Sequence, residues 1–190
     1  MMKAADILQV KELCHQFSLG NNKTLPVLKN ISLSASRGEF ISILGISGSG
    51  KTTLLKCISS LLKPTSGKVM LNRINPYNIG NSKLSSLRRN DIAFIFQSYN
   101  LVPSLPVFEN IVLPLRLSGK KINTKEIKNL LERMKFHAGL NDFVNTLSGG
   151  EQQKVAIARA IVASENLPTG FQTASLLYWH TTSKSGQHQP

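Results

Sequence analysis

The feature that most constrains this chain is a glycine-rich stretch, GISGSGKTT, at Gly45–Thr53. A continuous apolar run, EFISILG at 39–45, leads into it, and a segment with helical periodicity follows it. The stretch matches the pattern GxxxxGK(S/T) in the strand, loop and helix context that this pattern requires. Its glycines let successive backbone N–H groups turn towards phosphate oxygens, Lys51 can reach the β and γ phosphates, and the Thr52 hydroxyl can ligate Mg²⁺. The sequence therefore predicts a nucleotide-phosphate site. Its expected members are Gly45, Ser47, Gly48, Ser49, Gly50, Lys51, Thr52 and Thr53.

Alternating apolar and polar residues predict strands around this loop. Ile7–Leu13 and Asn30–Ser36 alternate, and the turn-forming segment 19–26 between them predicts an antiparallel, half-exposed sheet. The apolar run at 39–45 is typical of a strand that is buried on both faces. The same patterns predict a helix at Thr53–Leu62, ended by Pro64, and strands at 67–72 and 91–97.

After Gln97 the pattern becomes helical. Apolar residues recur at i, i+3, i+4 and i+7 from Ile127 onward, with Asn123 and Glu126 as a capping pair and Gly139 as the predicted end. A second helix, EQQKVAIARAIVAS, begins directly after LSGG. These segments predict an α-helical insertion. The apolar positions of the first helix are Ile127, Leu130, Leu131 and Met134.

Charge and cysteine content limit the possible classes of function but do not identify a single one. The chain carries 23 Lys and Arg against 10 Asp and Glu, a formal charge of +13, which is compatible with nucleic acid, an anionic membrane face or phosphates. The lysines are scattered and no aromatic residues interleave with them, which favours a solvated basic surface and no nucleic-acid partner. Cys14 and Cys57 lie far apart, so we expect a reduced cytosolic protein. No run approaches the ~20 apolar residues of a membrane span, so membrane association is expected through a partner.

Three further segments carry a specific resemblance. They are LLKPTSGKVMLN at 61–72, IFQSYNLVPSLPVFENIVLPL at 95–115 and LSGGEQQKVAIARAIV at 147–162. In that order the chain resembles, over about residues 5–162, the ATP-binding cassette of ABC transporters, in particular the bacterial subfamily of lipoprotein-release, macrolide-export and peptide-resistance systems. The resemblance implies an α/β P-loop NTPase fold, with a RecA-like core, an N-terminal antiparallel β subdomain and an α-helical insertion.

The resemblance also implies roles for residues outside the glycine loop. Phe17 matches an aromatic residue that stacks on adenine, although a core position on a strand is an equal alternative. Gln97 matches a residue that contacts Mg²⁺ and the γ-phosphate, with a structural role as the alternative. Ser148, Gly149 and Gly150 precede a helix whose N-terminal end can receive a phosphate of the nucleotide bound by the opposite subunit.

The implied assembly is a homodimer or heterodimer of ATP-binding subunits that bind ATP and Mg²⁺ and work with a transmembrane permease. It would be cytoplasmic and peripheral on the inner face of the cell membrane. The segment Leu101–Leu115 is apolar and rich in proline, and the resemblance places it beside the groove that receives the permease. Packing of the helical insertion is the alternative for that segment.

The resemblance stops after the predicted helix that follows LSGG, which is called the signature helix below. Related cassettes continue with a strand that ends in Asp-Glu, then a Pro-Thr-Gly turn and later a switch histidine. Only the turn, LPTG at Leu167–Gly170, is present, and no Asp or Glu follows Glu165. We interpret His180 as a tail residue. The expected organisation is an incomplete ATP-binding domain at 1–165, with 98–162 as helical subdomain and signature helix, C-terminal strands missing, and a divergent tail at 166–190. A hydrolysis-deficient nucleotide-binding module or a truncated, non-functional cassette is the alternative to a transporter ATPase.

Overall fold

The computed structural model describes residues 6–39, 41–165 and 175–177. They divide into two compact units, the first within 1–80 and the second within 81–178. The LPTG turn, His180 and the tail at 166–190, apart from 175–177, lie outside the described residues. No helix in the described ranges is long and apolar enough to cross a membrane.

The first unit contains an antiparallel sheet of three strands. They are β1 (Asp6–Ser18), β2 (Thr24–Ser36) and β3 (Ser66–Leu71), in the order β2-β1-β3. A turn closed by the Leu19 N–H donating to the Lys23 carbonyl at 2.9 Å joins β1 to β2. Alternating residues bury one face of the sheet. The predicted antiparallel, half-exposed sheet is therefore confirmed.

A bulge in β1 leaves no room for a side chain at one glycine of β3. Glu12 adopts φ 48° where the register of β1 shifts, and Gly67 lies against it with φ +88°. A Cβ on Gly67 would lie 2.6 Å from the Leu13 Cα and 2.7 Å from the Glu12 carbonyl carbon. Both neighbours are backbone atoms, which cannot rotate away.

We expect Gly67→Ala to lower the free energy of unfolding by about 2–5 kcal/mol, since left-handed strain and a backbone clash add together. Gly20→Ala is the matched control, because Gly20 has φ +80° with open space around its Cβ position. It should cost only about 1 kcal/mol. Urea denaturation followed by circular dichroism measures both. Equal losses in the two variants would show that the contact with β1 is not tight.

The predicted buried strand at 39–45 is wrong. Residues 41–46 form no regular secondary structure, and Leu44 and Ile46 are 89% and 82% exposed. A strand buried on both faces depends on strands beside it and helices over it. In the described part of the chain the strands belong to the β2-β1-β3 and β4-β5 pairings, so none borders this segment. In the described residues this apolar segment therefore has no neighbouring strand with which to pair.

The helix after the glycine loop is α1 (Lys51–Ile58), which begins and ends earlier than the predicted Thr53–Leu62. Ser60 turns the chain with φ 62°, and the Tyr77 hydroxyl lies 2.6 Å from the Leu62 carbonyl oxygen, which holds the segment after the helix. The inward face of α1 is apolar, and burial raises the pKa of its Cys57 thiol to about 11. This thiol stays protonated.

The second unit is mainly helical. Its elements are α2 (Asn81–Asn90), β4 (Ile92–Phe94), α3 (Val107–Leu117), α4 (Thr124–Arg133), a 3₁₀ turn (Val144–Thr146), α5 (Gly149–Glu165) and β5 (Ser175–Leu177). The strands β4 and β5 pair in parallel. One apolar cluster joins α3, α4 and α5, and a second packs β4 against α5. The predicted helical insertion is thus present.

The predicted cap of α4 is confirmed and its predicted end is wrong. The Asn123 side chain accepts a hydrogen bond from the Glu126 N–H at 3.4 Å. The helix ends at Arg133, before Gly139, because Lys135 turns left-handed with φ 51°. The Phe136 N–H then donates to the Leu131 carbonyl at 3.0 Å, which closes the helix without a glycine.

Candidate functional site

The glycine loop lies at the N-terminus of α1, and two of its glycines hold left-handed conformations. Gly48 has φ +79° and Gly50 has φ +88°, and the Gly50 carbonyl accepts from the Leu54 N–H at 2.8 Å. A Cβ on Gly50 would lie 2.9 Å from the Val27 Cγ1, so the loop lies close against β2. Alternating conformations of this kind turn backbone N–H groups towards one side, which suits an anion.

Lys51 folds back over this loop. Its Nζ donates to the Gly45 carbonyl at 2.7 Å, to the Ile46 carbonyl at 2.6 Å and to the Ser49 hydroxyl at 3.1 Å. The residue is only 9% exposed, so the ammonium is held close to the loop. Phosphate oxygens are stronger partners for an ammonium than neutral carbonyl oxygens. The lysine is thus placed where incoming phosphates can accept its hydrogen bonds.

The first turn of α1 completes the phosphate-binding character of the loop. Thr52 and Thr53 are half-buried there, and no acidic residue lies in that turn. The positive end of the helix dipole and the Lys51 ammonium therefore act together on an anion. The group of donors fits nucleotide phosphates, and the Thr52 hydroxyl is an oxygen of the type that Mg²⁺ accepts.

Phe17 lies near the end of β1 and is not a core residue. It is 39% exposed, and its ring meets the ring of His15 edge to face at a centroid distance of 4.6 Å. The alternative of a core position is therefore wrong. Stacking of Phe17 on an adenine stays a prediction.

Gln97 lies in the second unit, in a turn that follows β4. This Gln97 turn, residues 97–100, is mostly exposed, and its last two residues, Tyr99 and Asn100, have φ 60° and 45°. Arg159 of α5 donates to the carbonyl oxygens of both, at 2.7 and 2.9 Å. Burial lowers the pKa of Arg159. Sequence reasoning did not single out this arginine.

The signature residues Ser148, Gly149 and Gly150 are exposed at the start of α5. The Ser148 hydroxyl accepts from the Glu151 N–H at 3.3 Å, and both glycines have open space at their Cβ positions. The Glu151 carboxylate accepts a hydrogen bond from the His137 N–H at 3.3 Å and forms an ion pair with Lys154 at 3.8 Å. The end of a 17-residue helix is thus capped and remains open to an anion.

The segment Leu101–Leu115 packs inside the second unit. Its helical part supplies Val107, Ile111, Val112 and Leu115 to the main apolar cluster. The fully buried Asn110 holds the preceding loop, since its Oδ1 accepts from the Val102 N–H at 2.7 Å and its Nδ2 donates to the carbonyls of Val102 and Leu105. Packing of the helical insertion, the stated alternative, accounts for these side chains. A lone asparagine in an apolar helix was the available signal for Asn110.

The predicted site residues thus fall into two groups. Phe17 and the loop Gly45–Thr53 belong to the first unit, whereas Gln97 and the signature residues belong to the second.

Comparison with known proteins gives a family. The family described as ABC transporter matches residues 28–168. Over 161 residues the chain is 39% identical to the lipoprotein-releasing system ATP-binding protein LolD of Acinetobacter baylyi, covering 83% of this chain and 70% of LolD. It is also 40% identical to the macrolide export ATP-binding/permease protein MacB of Campylobacter jejuni, over 85% of this chain and 25% of MacB.

The fold has a solved counterpart. The ATP-binding cassette MJ0796 of Methanocaldococcus jannaschii, in a dimeric post-hydrolysis state bound to ADP and Pi, superimposes with a TM-score of 0.74 at 33% identity. The match covers 87% of this chain and 78% of that one. The predicted P-loop NTPase fold and the resemblance to the lipoprotein-release and macrolide-export subfamily are confirmed.

Proposed function

The chain belongs to the ATP-binding subunits of the ABC transporter family, and from that premise we propose that it binds ATP with Mg²⁺ at the glycine loop and closes against a second cassette. Loop backbone N–H groups and the Lys51 ammonium bind the β and γ phosphates. Phe17 stacks on the adenine.

One observation carries the proposal, namely the conformation of the glycine loop. Gly48 and Gly50 are left-handed, and the Lys51 ammonium lies within 2.7 Å of two loop carbonyl oxygens at the N-terminus of α1. A loop that already holds its cation beside the helix end needs little reorganisation when phosphates bind. Low reorganisation favours affinity.

Mg²⁺ would be held by the Thr52 hydroxyl, phosphate oxygens and water, with Gln97 as a further ligand. Mg²⁺ keeps several waters in such sites and takes few protein oxygens, so one hydroxyl and one amide are sufficient. When bound, the ion neutralises charge between the β and γ phosphates.

A second cassette is the proposed direct partner. The exposed Ser148, Gly149 and Gly150 offer a helix N-terminus to a phosphate, and a nucleotide bound by another copy or a related subunit supplies one. The dimeric state of MJ0796 supports this arrangement. The assembly is a homodimer or a heterodimer.

A transmembrane permease is the proposed second partner, because the related MacB is by name an ATP-binding/permease protein. The cassette would work at the cytoplasmic face of the membrane. We propose no nucleic-acid partner, since the basic residues are scattered along the chain.

Hydrolysis is the step for which a second candidate function exists. Residues 166–190 contain no Asp or Glu, so this stretch after α5 does not supply the carboxylates that would hold the Mg²⁺ shell and activate water in related cassettes. A cassette that binds ATP and closes without splitting it is the alternative favoured by that observation.

Sedimentation velocity tests the proposed function. We expect a dimer with ATP and Mg²⁺, and monomer with ADP and Mg²⁺ or with ATP and EDTA. Gly149→Glu should abolish the dimer, since a carboxylate at the helix end repels the phosphate, whereas Gly80→Glu should not. Both glycines have open space at their Cβ positions, so the pair differs in location alone. A sedimentation profile that is independent of nucleotide would overturn the proposal.

A further inference from the structure

We propose that Arg159 is the positioning residue that fixes the Gln97 turn, and so sets how well this cassette distinguishes ATP from ADP. The inference rests on the proposed function for the role of Gln97, but the positioning itself is a property of the second unit. It goes beyond the signature residues at the start of α5, because Arg159 lies far along that helix.

The Arg159 guanidinium binds the Gln97 turn through both of its terminal nitrogens, as a two-pronged fork. The Arg159 Nη1 donates to the Asn100 carbonyl at 2.9 Å, and its Nη2 donates to the Tyr99 carbonyl at 2.7 Å. One planar guanidinium thus binds two successive carbonyl oxygens, which fixes both the position and the orientation of that stretch of backbone. A lysine ammonium has no such planar fork.

The turn needs this support because its backbone is strained. Tyr99 and Asn100 are consecutive non-glycine residues with φ 60° and 45°. A left-handed conformation is unfavourable at Tyr99 and better tolerated at Asn100, and such conformations at non-glycine residues persist where the surroundings enforce them. The Tyr99 N–H donates to the carbonyl of Phe96, the residue just before the turn, at 3.0 Å, and within the turn the Ser98 hydroxyl donates to the Asn100 Oδ1 at 2.7 Å. Arg159 adds two bonds from outside the turn.

Small residues on α5 bring the turn within reach of the arginine. Ala156 and Ala160 pack against Ala93 of β4 and Ile95 just after it, with Tyr99 at the border of the same cluster. Methyl side chains let a strand approach a helix closely, and the long side chain of Arg159 then extends to the carbonyl oxygens beyond the strand. The cluster and the fork thus both hold the turn in place.

The same helix begins at the signature residues. From Gly149 to Arg159 the α-helical rise amounts to about 15 Å. One rigid element therefore carries both a phosphate contact with the opposite subunit and the support of Gln97. Displacement of α5 would move both together.

Hydrogen–deuterium exchange of the nucleotide-free protein tests the positioning directly. We expect Arg159→Gln to speed exchange at 97–100 by about tenfold or more, and Arg159→Lys to give an intermediate rate. The matched control is Arg133→Gln, which removes the same charge from an exposed position at the end of α4. Exchange in α3 and α4 should stay as in the wild type, which excludes global unfolding. Unchanged exchange at 97–100 in both Arg159 variants would overturn the proposal.

Equilibrium binding of ATP and ADP in Mg²⁺ tests the consequence. We expect Arg159→Gln and Gln97→Ala each to lower the ratio of ATP to ADP affinity by about three- to tenfold, and the double variant to lower it no further. A merely structural arginine would weaken both nucleotides alike, and additive losses would contradict positioning through Gln97. If the wild type does not bind ATP at all, the proposed function fails, while the exchange experiment still decides the role of Arg159.

Discussion

Lys51→Ala should weaken ATP binding by about 10- to 150-fold, because a hydrogen bond between charged groups contributes about 1.5–3 kcal/mol. The folded protein should be nearly unaffected. Lys51 donates to the carbonyl oxygens of Gly45 and Ile46, which are exposed residues, so water can replace the lost donor. Fluorescence anisotropy with a labelled ATP measures the affinity, and thermal denaturation measures the stability.

Lys56→Ala is the matched control, because Lys56 lies on the same helix and is exposed. It removes the same charge and should leave the affinity within about twofold, since exposed charges are screened by solvent and salt. The chain carries a formal charge of +13, so unspecific attraction of a nucleotide has to be separated from binding in the loop. Equal weakening in the two variants would mean that general charge, and not the loop, attracts ATP.

ATP bound to the wild-type chain should be released unhydrolysed. We expect single-turnover phosphate release no faster than that of Lys51→Ala, measured with radiolabelled ATP on folded protein whose binding has been demonstrated. A positioned general base contributes about 10²–10⁴-fold to the rate of such a reaction. In this chain no carboxylate follows α5, which ends at Glu165. We therefore expect ATP binding without measurable phosphate release.

Phosphate release that disappears in Lys51→Ala would contradict this expectation. It would mean that a residue outside the usual acidic pair activates the water, and the chain would then be a hydrolysing transporter subunit. Measurable release at the same rate in the two proteins would instead reveal a contaminating ATPase. Binding that depends on Lys51 without release establishes a cassette that closes and does not turn over.

Local signals predicted most of the loop structure that is proposed to bind phosphates. The glycine pattern predicted a loop followed directly by a helix, and Asn123 and Glu126 predicted the start of α4. Each of these features depends on atoms within a few residues. The end of α4 was missed because Lys135, not a glycine, adopts the left-handed conformation that closes the helix.

Features that depend on distant partners could not be predicted. The apolar run at 39–45 was predicted to be a buried strand, but burial required neighbouring strands that the described structure does not place beside it. Arg159 was overlooked because its carbonyl partners lie 59 and 60 residues away in sequence. Asn110 was overlooked for a different reason, since its partners at Val102 and Leu105 are near in sequence but belong to a loop that folds back onto the helix.

The sequence by itself determined the family, the antiparallel sheet and the chemistry of the glycine loop. Short motifs and local patterns indicate each of these features, and the hydrogen-bond donors of the loop lie within a few residues of one another. Only the tertiary structure decided that Phe17 is exposed, that Leu101–Leu115 packs within the second unit and that Arg159 supports the Gln97 turn. The physical reason is that exposure and carbonyl hydrogen bonding are properties of neighbours brought together by folding, and periodicity along the chain does not encode which neighbours those are.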